Sequence, residues 1–391
     1  MNVEDKYLYF HRPSFGKEEE NEIIQTLRSG WVTTGERTKR FEHDFAEYIG
    51  AKYAVGLNSC TAGLHLALIC AGVGQGDEVI TSPLTFASTA NVIAHVGATP
   101  VFVDVQPDTL NMDASEIEKK ISPKTKAVIP VHFLGQPCDM DDINAVAVKY
   151  GITVIEDAAH ALETVYKGRK IGAISKFTSF SFYATKNITT GEGGMITTDD
   201  QQAEEKLRVL SLHGISRDAW KRYSESGYKH WEILYPGFKY NMFDIQAAIG
   251  IHQLKKVDRF WQNRKSIVEK YNNAFSNEDA IEPVYQKIKH KGDRNAYHLY
   301  VIRLNRHVLT IDRDELLNRI QQRGIGVGVH FRAVHLSPYY ANKYGFKKGM
   351  LPVAEDNADR VLSLPLYPSL SDTDQDYIIG SVQDILKKAK R

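Results

Sequence analysis

Cysteine is scarce in this chain. The 391 residues contain three, Cys60, Cys70 and Cys138, with no CxxC pair among them, a usage that suits a reducing compartment. The histidines form no HExxH, and no Cys/His cluster has zinc-like spacing, so no metal is expected. Excess charge is also missing: 49 basic against 48 acidic side chains leave a formal net charge of +1, which argues against nucleic acid as the main partner. Long apolar runs are absent too. Even the stretch 90–105 is interrupted by Asn91, His95 and Asp104, so no membrane span is expected. The polar start Met1-Asn2-Val3-Glu4-Asp5-Lys6 leads into no signal-peptide core, and the expected location is cytoplasmic. Gly191-Glu192-Gly193-Gly194 lacks the GxGxxG spacing and opens no helix, which leaves a nicotinamide site unsupported, and there is no P-loop. Internal repeats and low-complexity segments are lacking as well.

The chain is long for one core, and two domains are the natural expectation. Short runs rich in Val, Ile and Phe occur at 53–57, 78–81, 100–105, 127–133 and 153–157. Helical patterns fall between them at 61–71, 86–95, 113–121 and 140–150. Such alternation predicts an α/β fold with parallel strands joined by helical crossovers. Two further strands, 177–182 and 194–198, have only a loop between them. After Met242 the pattern changes to helices at 244–254 and 259–275, a strand at 297–304, a helix at 312–322, a strand at 327–331 and a terminal helix after Asp372. We expect a large domain over 1–257 and a smaller C-terminal α+β domain over 258–391, with 277–291 as a surface loop.

Two residues stand out by context. Lys186 lies in Ser179-Phe180-Ser181-Phe182-Tyr183-Ala184-Thr185-Lys186-Asn187, after a strand, and Asp157 closes the strand Thr153-Val154-Ile155-Glu156-Asp157. A pyridoxal phosphate enzyme needs such a pair: an amine to bond the cofactor aldehyde, and a carboxylate to keep the pyridine nitrogen protonated so that the ring accepts electrons. Asn58-Ser59-Cys60-Thr61-Ala62-Gly63 follows a strand and opens a helix. That can be a phosphate cradle at a helix N-terminus, or an ordinary cap by Ser59 or Thr61.

Together with Ser29 to Gly35, Gly76 to Ile80, Glu156 to His160, Gly191 to Met195 and Pro236 to Asn241, these segments give the chain a near end-to-end resemblance to the DegT/StrS family of pyridoxal-phosphate-dependent sugar aminotransferases. Within it, His330-Phe331-Arg332-Ala333-Val334-His335 is most like the branch making UDP-4-amino-4-deoxy-L-arabinose and spore-coat polysaccharide. The resemblance implies the aspartate-aminotransferase-like fold (fold type I). It makes Lys186 the Schiff-base lysine and proton shuttle, and Asp157 the partner of the pyridinium. Thr61, Ala62 and Ser181 would hold the phosphate. Phe86 would stack on the cofactor ring, although a Phe in a first helical turn is commonly core, and His160 would lie near the ring hydroxyl. Asn241 matches a residue given to the neighbouring subunit's phosphate site, implying a homodimer with shared sites; alternatively it caps the following helix. Trp31, Thr33, Tyr183, His330 and Arg332 match positions near the sugar-nucleotide pocket.

The reaction so implied is amino transfer from glutamate to C4 of a nucleotide-linked keto sugar, UDP being the expected nucleotide, in glycan precursor biosynthesis. Alternatives are a dehydratase on the same fold, whose relatives replace the lysine by histidine, a 3-keto sugar aminotransferase, and a catalytically silent regulatory partner.

Overall fold

Each short Val/Ile/Phe run between positions 53 and 157 becomes a strand of one sheet, because its side chains are covered on both faces. The computed structural model describes residues 7–216, 231–284 and 288–391. Its strands are β1 (Tyr53–Leu57), β2 (Glu78–Thr81), β3 (Thr99–Phe102), β4 (Thr125–Ile129), β5 (Thr153–Asp157), a small hairpin of β6 (Val165–Tyr166) and β7 (Arg169–Lys170), β8 (Phe177–Ser181), β9 (Gly194–Thr198), β10 (Ile281–Pro283), β11 (Tyr300–Leu304) and β12 (Val361–Leu364). Seven of them form a sheet of order β1-β9-β8-β5-β4-β2-β3. All run parallel except β9, which is antiparallel to both neighbours. Residues 182–193, which join β8 to β9, contain no helix, and a connection without a crossover returns the chain antiparallel.

Helices Cys60–Cys70, Ala87–His95 and Met140–Tyr150 supply crossovers as expected, whereas the 113–121 pattern breaks into a helical turn Ala114–Ile117 and a 3-10 turn. Cys60–Cys70 is apolar nearly all round, since it is sandwiched between the sheet and the helices Ala87–His95 and Gln201–Ser211. Apolar clusters cover both faces of the sheet, one holding Phe41, Phe45, Phe180 and Phe182 and the other Leu64, Leu66, Phe177 and Ile196.

Beyond position 242 the structure corrects two expectations. The helices read at 244–254 and 259–275 are one helix, Asp244–Phe275, because no Gly or Pro near 255–258 stops it. Position 257 lies inside it, and its buried residues pass from the first cluster (up to Phe260) to a second core (from Ile267) shared with β11, β12 and the terminal helix Asp372–Ala389. Residues 327–331 form no strand but a single bridge, Gly328 to Ser363; the third strand of the small sheet β10-β11-β12 is Val361–Leu364 instead. β10 falls within the expected loop at 277–291, of which 285–287, like Met1 to Lys6, lie outside the described residues. A further cluster joins Leu84, Phe102 and Phe133 to Leu299, Val334 and Val361, seating the C-terminal part against the large sheet.

The helix Glu36–Ile49 is capped from a distance. Its N-cap is Gly35, which has no side chain to offer, and the buried carboxylate of Asp244 accepts from the N–H groups of Gly35 (2.8 Å), Arg37 (3.2 Å) and Thr38 (2.9 Å) and from the Thr38 hydroxyl (2.8 Å). Asp244→Ala strands these donors, and the expected loss is about 3 kcal/mol of folding stability, read as a lower urea midpoint. An unchanged midpoint would refute the cap.

Candidate active site

Strands β1, β2, β4, β5 and β8 all end on one edge of the sheet, where loops and helix N-termini converge. β5 delivers Asp157 and β8 delivers Ser181. From Ser181 a turn, closed by the Lys186 N–H donating to the Tyr183 carbonyl (2.9 Å), brings up Lys186. β1 runs into Asn58-Ser59 and the N-terminus of helix Cys60–Cys70. Two glycines allow this close approach. A Cβ on Gly194 would stand 2.3 Å from the Ser59 carbonyl carbon, and one on Gly63 2.2 Å from the Ser179 hydroxyl.

Asp157 is buried. One carboxylate oxygen accepts from the Thr89 hydroxyl (2.7 Å), which also bonds that of Thr85 (2.7 Å), and the other accepts from the Ala159 N–H (3.1 Å). Burial pushes its pKa up, against the lowering effect of these hydrogen bonds and of the Lys186 charge. No guanidinium or ammonium pairs with it among the described residues. A positively charged ring nitrogen placed there would reverse the upward shift.

Lys186 is partly covered, and its amine makes no ion pair among the described residues. Burial lowers its pKa to about 8, the charges of Cys60 and Asp157 acting the other way. Four imidazoles feel its charge. Burial first, with Lys186 contributing, takes His11 and His330 to about 4 and His160 and His298 well below the ordinary histidine range. All four rings are therefore neutral at pH 7, and the amine sits in a shell of uncharged imidazoles, with the Asp157 carboxylate acting on it by charge.

His160 is buried with no partner for its Nδ1. Its ring stacks on Phe331 (centroids 5.8 Å apart) and lies 4.2 Å from that of His298. Phe86 is not core: it is the N-cap of helix Ala87–His95, 65% exposed, 6.5 Å from Phe331. An apolar face left open beside Asp157 suits a flat ring. Ser59 does cap its helix, accepting from the Ala62 N–H (3.1 Å), so that Ala62's own donor is already engaged; of the other first-turn residues Cys60 is buried and Thr61 partly covered. Ser181 accepts a long bond from the Tyr183 N–H (3.4 Å). Tyr183 and Arg332 are exposed at the rim, and His330 bonds the Ser363 hydroxyl through Nδ1 (2.8 Å).

Trp31, Thr33 and Asn241 lie elsewhere in the same chain. Asn241 bridges Leu57, which faces Gly194, which faces Ser181; three strand spacings put Asn241 roughly 14 Å from Ser181. It caps no helix, because the following N-cap is Phe243; its amide donates to the Thr34 hydroxyl (2.7 Å). Asn241 and Trp31 line a cavity of about 910 Å³ with Arg37, Glu42 and Arg208, outside edge strand β1, and neither Lys186 nor Asp157 borders it. Thr89, Cys60, His298 and Phe331 were not among the site residues expected from the sequence, although Cys60 and Phe331 lie in the stretches read there. Thr89 carries a signal, since it lies one turn after Thr85 on the helix that Phe86 opens. His298 carries none.

The model of the DegT/DnrJ/EryC1/StrS aminotransferase family matches residues 13–383. The chain is 51% identical over 384 residues to the spore coat polysaccharide biosynthesis protein SpsC of Bacillus subtilis, covering 98% of each chain. Among solved structures it is similar to Spr1654 of Streptococcus pneumoniae, described as a candidate sugar aminotransferase, in its PLP form (TM-score 0.91, 36% identity, 98% of this chain and 99% of that one). It is also similar to PseC of Helicobacter pylori, an aminotransferase involved in the biosynthesis of pseudoaminic acid (TM-score 0.91, 28% identity, 98% and 100%). The residues fit pyridoxal phosphate: a buried carboxylate without a cation, an open aromatic face, a helix N-terminus free of acidic residues in its first turn, and an amine of lowered pKa.

The amine's pKa has a measurable sign. In cofactor-free protein, acetylation of Lys186 by acetic anhydride, followed by peptide mass spectrometry, should rise with a midpoint near pH 8, because the neutral amine reacts; an ordinary lysine waits until about 10.5. A midpoint at the ordinary value would remove the uncharged-shell account.

Proposed function

Because the chain belongs to the DegT/DnrJ/EryC1/StrS aminotransferase family, we propose that it moves an amino group from glutamate to C4 of a UDP-linked 4-keto sugar, for a surface polysaccharide or related glycan precursor. The observation that carries the catalytic half is the Lys186 amine, lowered to about 8, beside the buried carboxylate of Asp157. The substrate half draws on the likeness to SpsC and PseC and on the stretches Gly30 to Gly35 and His330 to Arg332.

Bound pyridoxal phosphate supplies the electron sink and carries the amino group between the two substrates. The remaining work falls to the chain's own residues. Asp157, whose ionised form Thr89 and the Ala159 N–H favour against its burial, would hold the proton on the ring nitrogen. Thr61 and Ser181 would hold the phosphate, Ala62 doing so only if its N–H left the Ser59 hydroxyl, and the open face of Phe86 would orient the ring. Lys186 Nζ would hold the cofactor through its aldehyde and, once released, would serve as the base and acid for the proton that is moved. With a pKa near working pH it both takes and returns that proton. Trp31, Thr33, Tyr183, His330 and Arg332 bind the sugar nucleotide, the guanidinium of Arg332 being suited to diphosphate oxygens. A lysine at 186 favours amino transfer over the dehydratase reading.

A second copy completes each site in this reading. Asn241 is distant from its own chain's Ser181, and Trp31, Val32, Ile233, Leu234 and Tyr235 leave apolar surface exposed, Trp31 and Val32 in the segment whose Thr34 bonds Asn241. We place the enzyme in the cytoplasm, where nucleotide sugars and glutamate meet; no described helix is long and apolar enough to cross a membrane.

Matched 3-keto and 4-keto UDP sugars, each incubated with enzyme and glutamate, should yield 2-oxoglutarate and an amino sugar from the 4-keto compound, the aminated carbon being assigned by NMR. Turnover of the 3-keto compound alone would overturn the regiochemistry. For the shared site, Lys186→Ala and Asn241→Ala proteins, each inactive alone, should regain activity when mixed and allowed to exchange subunits, since one site of the hybrid then has both residues intact. Absence of rescue despite subunit exchange would exclude sharing.

A further inference from the structure

Lys186 is followed by Asn187, and Asn187 is buried in a polar chain that the reaction as described does not use. At its far end the guanidinium of Arg264, buried on helix Asp244–Phe275, pairs with Glu163, itself without solvent exposure. The other oxygen of Glu163 accepts from the Asn187 side-chain amide. The Asn187 carbonyl oxygen then meets Nδ1 of His298 at 2.6 Å. Arg264 also donates to the carbonyl of Ala296 (3.4 Å from Nε), two residues before His298, so the same guanidinium holds both ends of the chain. His298 lies 4.2 Å from His160, whose own Nδ1 has no partner.

The donor directions leave one solution. A guanidinium only donates, and both oxygens of the carboxylate facing it accept, one from Arg264 and the other from Asn187. Asn187 must therefore turn its NH₂ to Glu163 and its oxygen to His298. That oxygen can only accept, so the proton of the neutral His298 ring is on Nδ1. Nε2 is left as a bare lone pair, with no partner among the described residues. We propose that Glu163 is a positioning residue that sets the tautomer of His298, Nδ1–H with Nε2 unprotonated, through the amide of Asn187, and so fixes both the residue next to Lys186 and the ring beside His160. The charges of Glu163 and Arg264 cancel, so the chain orients the site without adding a net charge to the uncharged shell around the amine. Its importance for catalysis rests on the reading of Lys186 given above; the tautomer itself does not.

The test is imidazole nitrogen NMR of the ¹⁵N-histidine-labelled holoenzyme near neutral pH, with His298→Gln identifying the His298 signals. The expected result is a protonated, pyrrole-type Nδ1 and an unprotonated, pyridine-type Nε2. In Glu163→Gln the new amide keeps its oxygen for Arg264 and turns its NH₂ to Asn187. Asn187 must then flip and donate to His298 Nδ1, so the two nitrogens should exchange their chemical-shift types. A protonated Nε2 in the wild-type protein overturns the proposal even if the variant does not fold. An unchanged His298 pattern in a folded Glu163→Gln protein overturns it as well. Because the readout is a tautomer rather than turnover, a failed acetylation test of Lys186 leaves it standing, and its own failure leaves Lys186 untouched.

Discussion

Asp157 ends β5 with the Thr89 hydroxyl, the Ala159 N–H and, at 4.0 Å, the Cys60 thiol as its hydrogen-bond donors, and no ammonium or guanidinium pairs with it among the described residues. Removing a carboxylate from water without a paired cation costs several kcal/mol even after relaxation. The fold bears that cost because the parallel strands deliver the residue there from within a sheet covered on both faces. A ring with a positively charged nitrogen recovers much of it on binding, and ligand binding of this kind stabilises the folded chain. In the proposed reading, affinity for the cofactor and the electronic demand on its ring would thus have one origin, a desolvated carboxylate facing a positively charged nitrogen.

The uncharged shell around Lys186 follows the same logic with the opposite sign. Burial discourages the ammonium, and it equally discourages protonation of His11, His160, His298 and His330, so the rings cannot add repulsion of their own at neutral pH. Among the groups facing the amine, the imidazoles thus stay uncharged and the carboxylate of Asp157 is the one that acts on it by charge.

Much of the large sheet was legible in the chain, for a physical reason: strands buried on both faces must be continuous apolar runs, and 53–57, 78–81 and 153–157 coincide with β1, β2 and β5. The antiparallel return of β9 was foreshadowed by the missing helix before it. The start of helix Glu36–Ile49 was not legible, because its cap is the carboxylate of Asp244, more than two hundred residues away, although Phe41, Phe45, Ala46 and Ile49 recur at helical spacing. Residues 327–331 misled, since Val327 and Phe331 look like strand yet pack in an irregular segment under the site. Lys186 and Asp157 were readable from local context. Glu163, Arg264 and His298 were not, because a buried polar chain built from three distant segments leaves no spacing pattern behind.

Helix Asp244–Phe275 carries Asp244 at its first turn and Arg264 twenty residues on, about 30 Å along its axis. One anchors the segment bearing Trp31 and Thr33; the other holds the polar chain beside Lys186. The helix thereby behaves as a ruler with two marks. Inserting or deleting one residue between them would advance one mark by about 100° of rotation relative to the other and take it off its target, however well the added side chain suited a helix. The length of this stretch is thus a constraint separate from the identity of its side chains: a substitution leaves both marks in place, whereas a shift of one residue moves one of them off its target.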